Sequence, residues 1–252
     1  MLTALREVAR RLGVERQALA VRRRLLPAHV REDIRDHEQL VALLGEVLRP
    51  DSNCVDAGAH AGSVLREIVA LAPRGRHIAW EPLPDFAKLL AAEFPSVEVR
   101  EAALSDHPGE RDFTHLLERP GWSGFHARPA PGAAAVESIR VRCERLDDAV
   151  PADLRIDLIK VDVEGAEEEV LRGAVETLRR HRPVIAFEHG LGSADYYGTT
   201  PAQIHDLLVR RLGYEIYGLD GDGPYRAARF AEIFARRERV NFVARAATEG
   251  HG

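Results

Sequence analysis

Five carboxylates and a histidine stand at the ends of short apolar runs: Val55-Asp56-Ala57-Gly58, Trp80-Glu81-Pro82, Val161-Asp162-Val163-Glu164 and Phe187-Glu188-His189. In an open parallel α/β sheet the carboxyl ends of neighbouring strands lie about 5 Å apart, and ligands bind in the crevice beyond them. Residues far apart in sequence then form one polar cluster. Glu81, at the end of the second run, is placed to grip the ribose hydroxyls of a nucleoside. The glycines bear on which nucleoside. Gly58 and Gly62 make G-x-x-x-G, with His60 in place of the middle glycine of a dinucleotide fingerprint. A pyrophosphate on this turn would meet like charge from Asp56. S-adenosylmethionine has no phosphate, and its ammonium and sulfonium are attracted by an acidic turn. A βα turn that holds no ligand at all has the same local sequence.

Methyl transfer from a sulfonium asks mainly for an acceptor held in line at about 3 to 3.5 Å. An aliphatic hydroxyl is a poor nucleophile, so a base or a metal ion must deal with its proton. His189 is the first candidate for the base because imidazole titrates near neutral pH. A loop histidine that merely caps a backbone group is the competing reading. Asp162 and Glu188 offer two hard oxygen ligands for a divalent cation such as Mg2+. They serve equally well to orient His189 and Lys160 or to hold substrate hydroxyls. Lys160 is one of only two lysines, with Lys88. Flanked by Asp162 and Glu164, it reads as a charged, salt-bridging residue rather than a base.

Periodicity supplies the elements that would carry these groups. A helix is expected over 34–48, then strands over 53–57, 77–81 and 97–102 with helices between them. Residues 111–117 resemble a further strand, and 138–143 alternates as an edge strand would. The strongly apolar 154–163 reads as a strand covered on both faces, followed by one helix with Val170, Leu171, Ala174, Val175 and Leu178 inward. A strand over 183–188 precedes a helix opened by Thr200, Pro201 and Gln203 as a capping box. Strands over 214–219 and 239–244 complete a seven-stranded count. Two long connections face the expected site. One, 119–132, carries Trp122, Ser123, Phe125 and His126, and the other, 190–199, carries Tyr196 and Tyr197; each reads as a lid or pocket wall, or as a plain surface loop.

A chain of 252 residues suffices for one large α/β core. No apolar run reaches the length of a membrane span and no secretory pattern opens the chain, so a cytoplasmic protein without membrane contact is expected. Cys54 and Cys143 have neither disulfide-framework nor metal-ligand spacing. Residues 1–31 hold eight arginines against Glu7 and Glu15, within a chain of net charge -5. That basic segment, 1–32, is read as a helical extension; nucleic acid is an unlikely partner because a DNA-reading unit needs a supported recognition helix. A homo-oligomer is compatible with the sequence.

Taken together, Val55-Asp56-Ala57-Gly58-Ala59-His60-Ala61-Gly62, Ala102 to Asp106 with Gly109, and Leu158-Ile159-Lys160-Val161-Asp162-Val163-Glu164-Gly165-Ala166-Glu167 resemble the FkbM-type methyltransferases over residues 33 to 190. The resemblance implies a Rossmann-like class I S-adenosylmethionine-dependent methyltransferase with a seven-stranded, mostly parallel sheet flanked by helices; nothing is carried over beyond Tyr197, and the domain is expected to run over 33–252. It implies transfer to an oxygen of a sugar, polyketide or other small secondary metabolite. Carried over by motif, Asp56, Gly58, Ala59 and Gly62 hold the methionine moiety. Glu81 with Pro82 takes the ribose, Ala103 and Leu104 border the adenine, and Asp162 joins the cofactor set. Asp162, Glu188 and His189 form the catalytic set; Trp122, Ser123, Glu164, Tyr196 and Tyr197 form the substrate set. A protein that binds the cofactor without catalysis, and an NAD(P)-dependent oxidoreductase, are the alternatives. Asp56 and the missing central glycine speak against the latter.

Overall fold

The computed structural model describes residues 26–126 and 135–247. The basic segment up to residue 25 and positions 127–132 of the first long connection lie outside the described residues. The described residues fall into two units that divide between Leu40 and Val41. One helix, α1 (Ala28–Val47), runs without a break through residue 32, and its last turns bury Leu43 and Leu44. No described helix is long and apolar enough to cross a membrane.

Next come β1 (Cys54–Ala57), α2 (Ser63–Leu71), β2 (His77–Trp80), α3 (Pro84–Glu93), β3 (Val97–Arg100) and the two-residue β4 (Ala103–Leu104). A hairpin follows, β5 (Gly109–Leu116) and β6 (Val136–Glu144), then α4 (Leu146–Ala149) and β7 (Leu158–Val161). The chain continues through α5 (Glu167–Arg172), α6 (Val175–His181), β8 (Val184–Glu188), α7 (Pro201–His205), β9 (Tyr214–Gly218), α8 (Ala227–Arg236) and β10 (Asn241–Ala246). Seven strands form the main sheet in the order β3-β2-β1-β7-β8-β10-β9. All neighbours in it are parallel except β10, which runs antiparallel to β8 and β9.

Strands β1, β2 and β7 are buried along their whole length, as strands covered on both faces by helices must be. Val55, Ile78, Ile159, Ile185, Phe187 and Phe242 belong to one continuous core cluster. Burying each such side chain stabilises the fold by about 1.5–3 kcal/mol before chain entropy is counted. The register decides the function, because Ala57 lies opposite both Trp80 and Val161. Gly58, Glu81 and Asp162 therefore leave three adjacent strands at one level.

Three expectations need correction, and one helix was not foreseen. The segment 138–143 is no edge strand: β6 is the central strand of a separate three-stranded sheet in the order β4-β6-β5. Its alternation arises because one face packs Val141 and Cys143 while the other meets solvent. The strand placed over 154–163 shrinks to Leu158–Val161, since Leu154 and Ile156 are buried outside the ladder. The single helix after it is two, α5 and α6, broken at Gly173. A Cβ there would stand 2.3 Å from the Ser105 carbonyl oxygen, so the small sheet's approach fixes the break. The helix α8 escaped notice because its apolar Phe230, Ile233 and Phe234 are interspersed among arginines. The Thr200 capping box forms as expected, with Gln203 N donating to Thr200 Oγ1 and Thr200 N donating to Gln203 Oε1.

Candidate functional site

An open cleft of about 200 Å3 lies at the carboxyl ends of β1, β2 and β7, between the main sheet and the small one. Its first wall is the β1 turn. Gly58 and Ala59 donate their N–H groups to the Trp80 carbonyl at 2.9 and 3.1 Å, which folds the turn over the end of β2. Gly58 has φ 78°, and a Cβ on it would stand 2.0 Å from the Asp162 carbonyl oxygen. Only glycine lets the ends of β1 and β7 approach so closely. His60 also takes a left-handed φ, 47°, and so aims its N–H at Glu81 Oε2, 2.7 Å away. Leu83 N–H donates to the other carboxylate oxygen at 2.9 Å. Glu81 is thus fixed by two backbone donors while it lines the cleft. Burial raises its pKa, and the two N–H groups hold that rise back.

The charge behind this wall is arranged differently from the sequence expectation. Asp56, 1% exposed, does not line the cleft. Lys160 Nζ lies 3.1 Å from its Oδ1 and 3.7 Å from Asp162 Oδ2, and donates to the Gly58 carbonyl at 2.6 Å. Burial alone would lower the lysine's pKa, but Asp56 and Asp162 outweigh it and the net shift is upward. Lys160 is the salt-bridging cation expected. Asp56 spends its charge on that lysine rather than on a ligand, and steadies the turn from behind. Gly62 is likewise structural: a Cβ there would press on Leu90 and Phe94 at 2.8 Å.

The loop after β7 forms the second wall, with Asp162, Val163, Glu164 and Ala166 in the lining. Buried Glu167 shapes it, because its Oε1 accepts from Val163 N–H at 3.0 Å and Gly165 N–H at 3.1 Å. Burial pushes the Glu167 carboxyl up to about 7. Half-buried Glu188 stands behind Asp162 and is hydrogen-bonded to it. Burial first, then the charges of Asp162, Glu167 and Glu164, raises its pKa well above the usual carboxylate range. Among the described residues no group of three or more His, Cys, Asp or Glu could hold a metal ion, so the Asp162–Glu188 pair finds no third ligand.

The third wall comes from the small sheet and the chain after it: Phe113, Pro120, Gly121, Ser123 and Phe125, with Ala103 and Leu104 at its base. Phe113 and Phe125 meet edge to face at 5.3 Å. Arg111 lies 3.9 Å from the Phe125 ring centre and pairs with Glu169 of α5, tying the wall to the helix after the second loop.

Of the residues expected from sequence, Gly58, Ala59, Glu81, Pro82, Ala103, Leu104, Ser123, Asp162 and Glu164 meet in this cleft. His189 does not. Its ring is 0% exposed, stacked on Phe230 and Phe234, and no partner is found for either ring nitrogen. Burial alone lowers its pKa to about 4. The strand end that seemed to present it to a substrate instead turns it under α8. Trp122 and Tyr196 are 41% and 39% exposed and lie outside the lining, and Tyr197 stands behind Phe125. Sequence reasoning did not assign His60, Ser63, Leu83 or Phe113 to the site, and named Phe125 only as part of a lid or plain surface loop. For Phe113 a signal existed, since it lies on the buried side of β5.

Residues 56–216 match the family model described as "Methyltransferase FkbM domain". The chain is 32% identical over 215 residues to the AMB antimetabolite synthetase AmbE of Pseudomonas aeruginosa, a match covering 68% of this chain and 10% of that protein. It is 33% identical over 163 residues to the 2-O-methyltransferase NoeI of Sinorhizobium fredii, covering 58% of this chain and 65% of that one. The chain thus spans less than two thirds of either relative. Among solved structures, the methyltransferase FkbM of Methylobacillus flagellatus KT superposes with a TM-score of 0.49 at 15% identity, over 79% of this chain and 44% of that one.

Proposed function

This chain belongs to the FkbM methyltransferase family, and we propose that it transfers the methyl group of S-adenosylmethionine to a hydroxyl of a small molecule, a sugar or polyketide-type metabolite. The observation that carries the reading is Glu81, a buried carboxylate clamped by two backbone N–H groups at the rim of the cleft that also contains Asp162. A carboxylate so held suits vicinal ribose hydroxyls, which donate to it. The cleft also suits a nucleoside without phosphate. Among the described residues the one lining lysine, Lys160, is committed to Asp56 and the Gly58 carbonyl, and none of the described lining residues is a further lysine or an arginine to meet a pyrophosphate.

Glu81 would take the ribose, Gly58 and Ala59 the methionine portion, and Ala103 with Leu104 the apolar edge of the base. When bound, the donor supplies a methyl group on a sulfonium, which departs as a neutral thioether. Asp162, its side chain 44% exposed, is the proton acceptor that the cleft offers to an acceptor hydroxyl. Glu188, which accepts from Ser193 Oγ at 3.4 Å, stands behind Asp162 and would help orient that carboxylate. Phe113 and Phe125 give the acceptor an apolar wall. The name of the relative NoeI, a 2-O-methyltransferase, supports oxygen as the acceptor atom.

Calorimetry with S-adenosylmethionine and NAD, followed by turnover to S-adenosylhomocysteine on a panel of glycosides and macrolides, tests this reading. Saturable binding of the first and none of the second is expected. NAD occupying the cleft, or no binding of S-adenosylmethionine at millimolar concentration, overturns it. Chelation with EDTA tests the cation reading of Asp162 and Glu188: unchanged turnover removes it, and turnover lost and then restored by Mg2+ establishes it.

A further inference from the structure

The acceptor side of the cleft has two walls from distant parts of the chain, the strap 120–126 and the loop 162–166. Tyr197 touches both from behind. Its hydroxyl accepts a hydrogen bond from Phe125 N–H at 2.8 Å. A Cβ on Gly124 would come within 2.8 Å of that hydroxyl, and one on Gly165 within 2.6 Å of the tyrosine Cδ2. The His126 ring meets the tyrosine edge to face at 4.5 Å. Glycine at both neighbouring positions is what lets the ring fill the gap.

We propose that Tyr197 is a positioning residue: its hydroxyl latches the strap, and its ring, wedged against Gly165, holds Phe125 at a set separation from the Asp162–Glu164 loop. The inference rests on the methyl-transfer reading of this cleft and assigns the tyrosine a role without substrate contact. Its base is firm. The turn Ala194–Tyr197 is tied down by Ala194 N–H on the Gly190 carbonyl and Thr199 N–H on the Ala194 carbonyl, both at 3.1 Å. The strap's other ties run to β5, where Thr114 and Gly124 exchange backbone bonds and Leu116 N–H donates to Ser123 Oγ at 3.0 Å. Those bonds attach it to the small sheet; the tyrosine connects it to the main one. Burial raises the phenol's pKa to about 12, so the latch stays a neutral hydroxyl through the physiological range.

Amide hydrogen exchange on the full chain carrying Tyr197→Phe decides the matter. Exchange at Phe125 is expected to speed up by about tenfold and the fluorescence anisotropy of Trp122 to fall, while S-adenosylhomocysteine affinity stays within about twofold of the parent. Gly124→Ala, which crowds the hydroxyl without removing it, should give the same local signature. Unchanged exchange at Phe125 in both variants overturns the proposal. So does faster exchange spread evenly over β1, β7 and β8, which marks general loosening. If S-adenosylhomocysteine fails to bind the parent chain, the donor reading falls, whereas the exchange result still decides the latch.

Discussion

Asp56 and Lys160 show how a residue legible in sequence can have its role misread. The position of Asp56 on the β1 turn was plain from its neighbours. That its charge is consumed by a lysine 104 residues away depends on the register of β1 with β7, where Asp56 and Lys160 are directly paired. Lys160→Met leaves a buried carboxylate without its cation and should cost about 3–5 kcal/mol in urea unfolding. Asp56→Asn in the same chain should recover much of that loss, a coupling that a double-mutant cycle reads directly. His189 was misplaced for a related reason. Its position after β8 is a matter of sequence, but its direction is set by Phe230 and Phe234 of α8, a helix the periodicity did not reveal.

At the scale of elements, the β1 turn is where the fold and the proposed donor site coincide. Gly58→Ala brings together a left-handed φ of 78° and a Cβ 2.0 Å from the Asp162 carbonyl oxygen. It should lower stability by about 2–4 kcal/mol and abolish cofactor binding, measurable by thermal melting and calorimetry. The glycine, Glu81 and Asp162 were legible because strand, turn and helix each leave a periodic mark. The β4-β6-β5 sheet was legible only as isolated strands. Nothing local announces that two residues at Ala103 and Leu104 pair with the end of β6 rather than prolonging β3. Phe113, the half of the aromatic wall that this sheet carries, was missed with it, whereas Phe125 was read only as part of a lid or surface loop.

The whole molecule carries two buried titratable groups whose effects on stability oppose each other. Glu167 moves from a reference of 4.5 to about 7 on folding, so the stability tied to its proton is present below pH 4.5 and lost as pH rises to 7. His189 moves from 6.5 to about 4, so its share is present above pH 6.5 and lost as pH falls to 4. Each is worth on the order of 3 kcal/mol. In urea titrations across pH 4–8, Glu167→Gln should therefore flatten the loss toward alkaline pH. His189→Phe should flatten the loss toward acid and, being remote from the cleft, leave turnover intact; abolished turnover would return the base to His189.

The division of the cleft between two sheets has a consequence of its own. The half that would receive the donor is built from the strands that fold the molecule, so change there is punished twice. The half that would receive the acceptor leans on a side assembly, the β5-β6 hairpin with its strap, joined to the body by Arg111 to Glu169, Glu144 to Trp80 and Arg100, and Tyr197 to Phe125. Such a cassette can be recut for new clients while the engine beneath stays untouched, which is how one scaffold acquires many substrates without refolding.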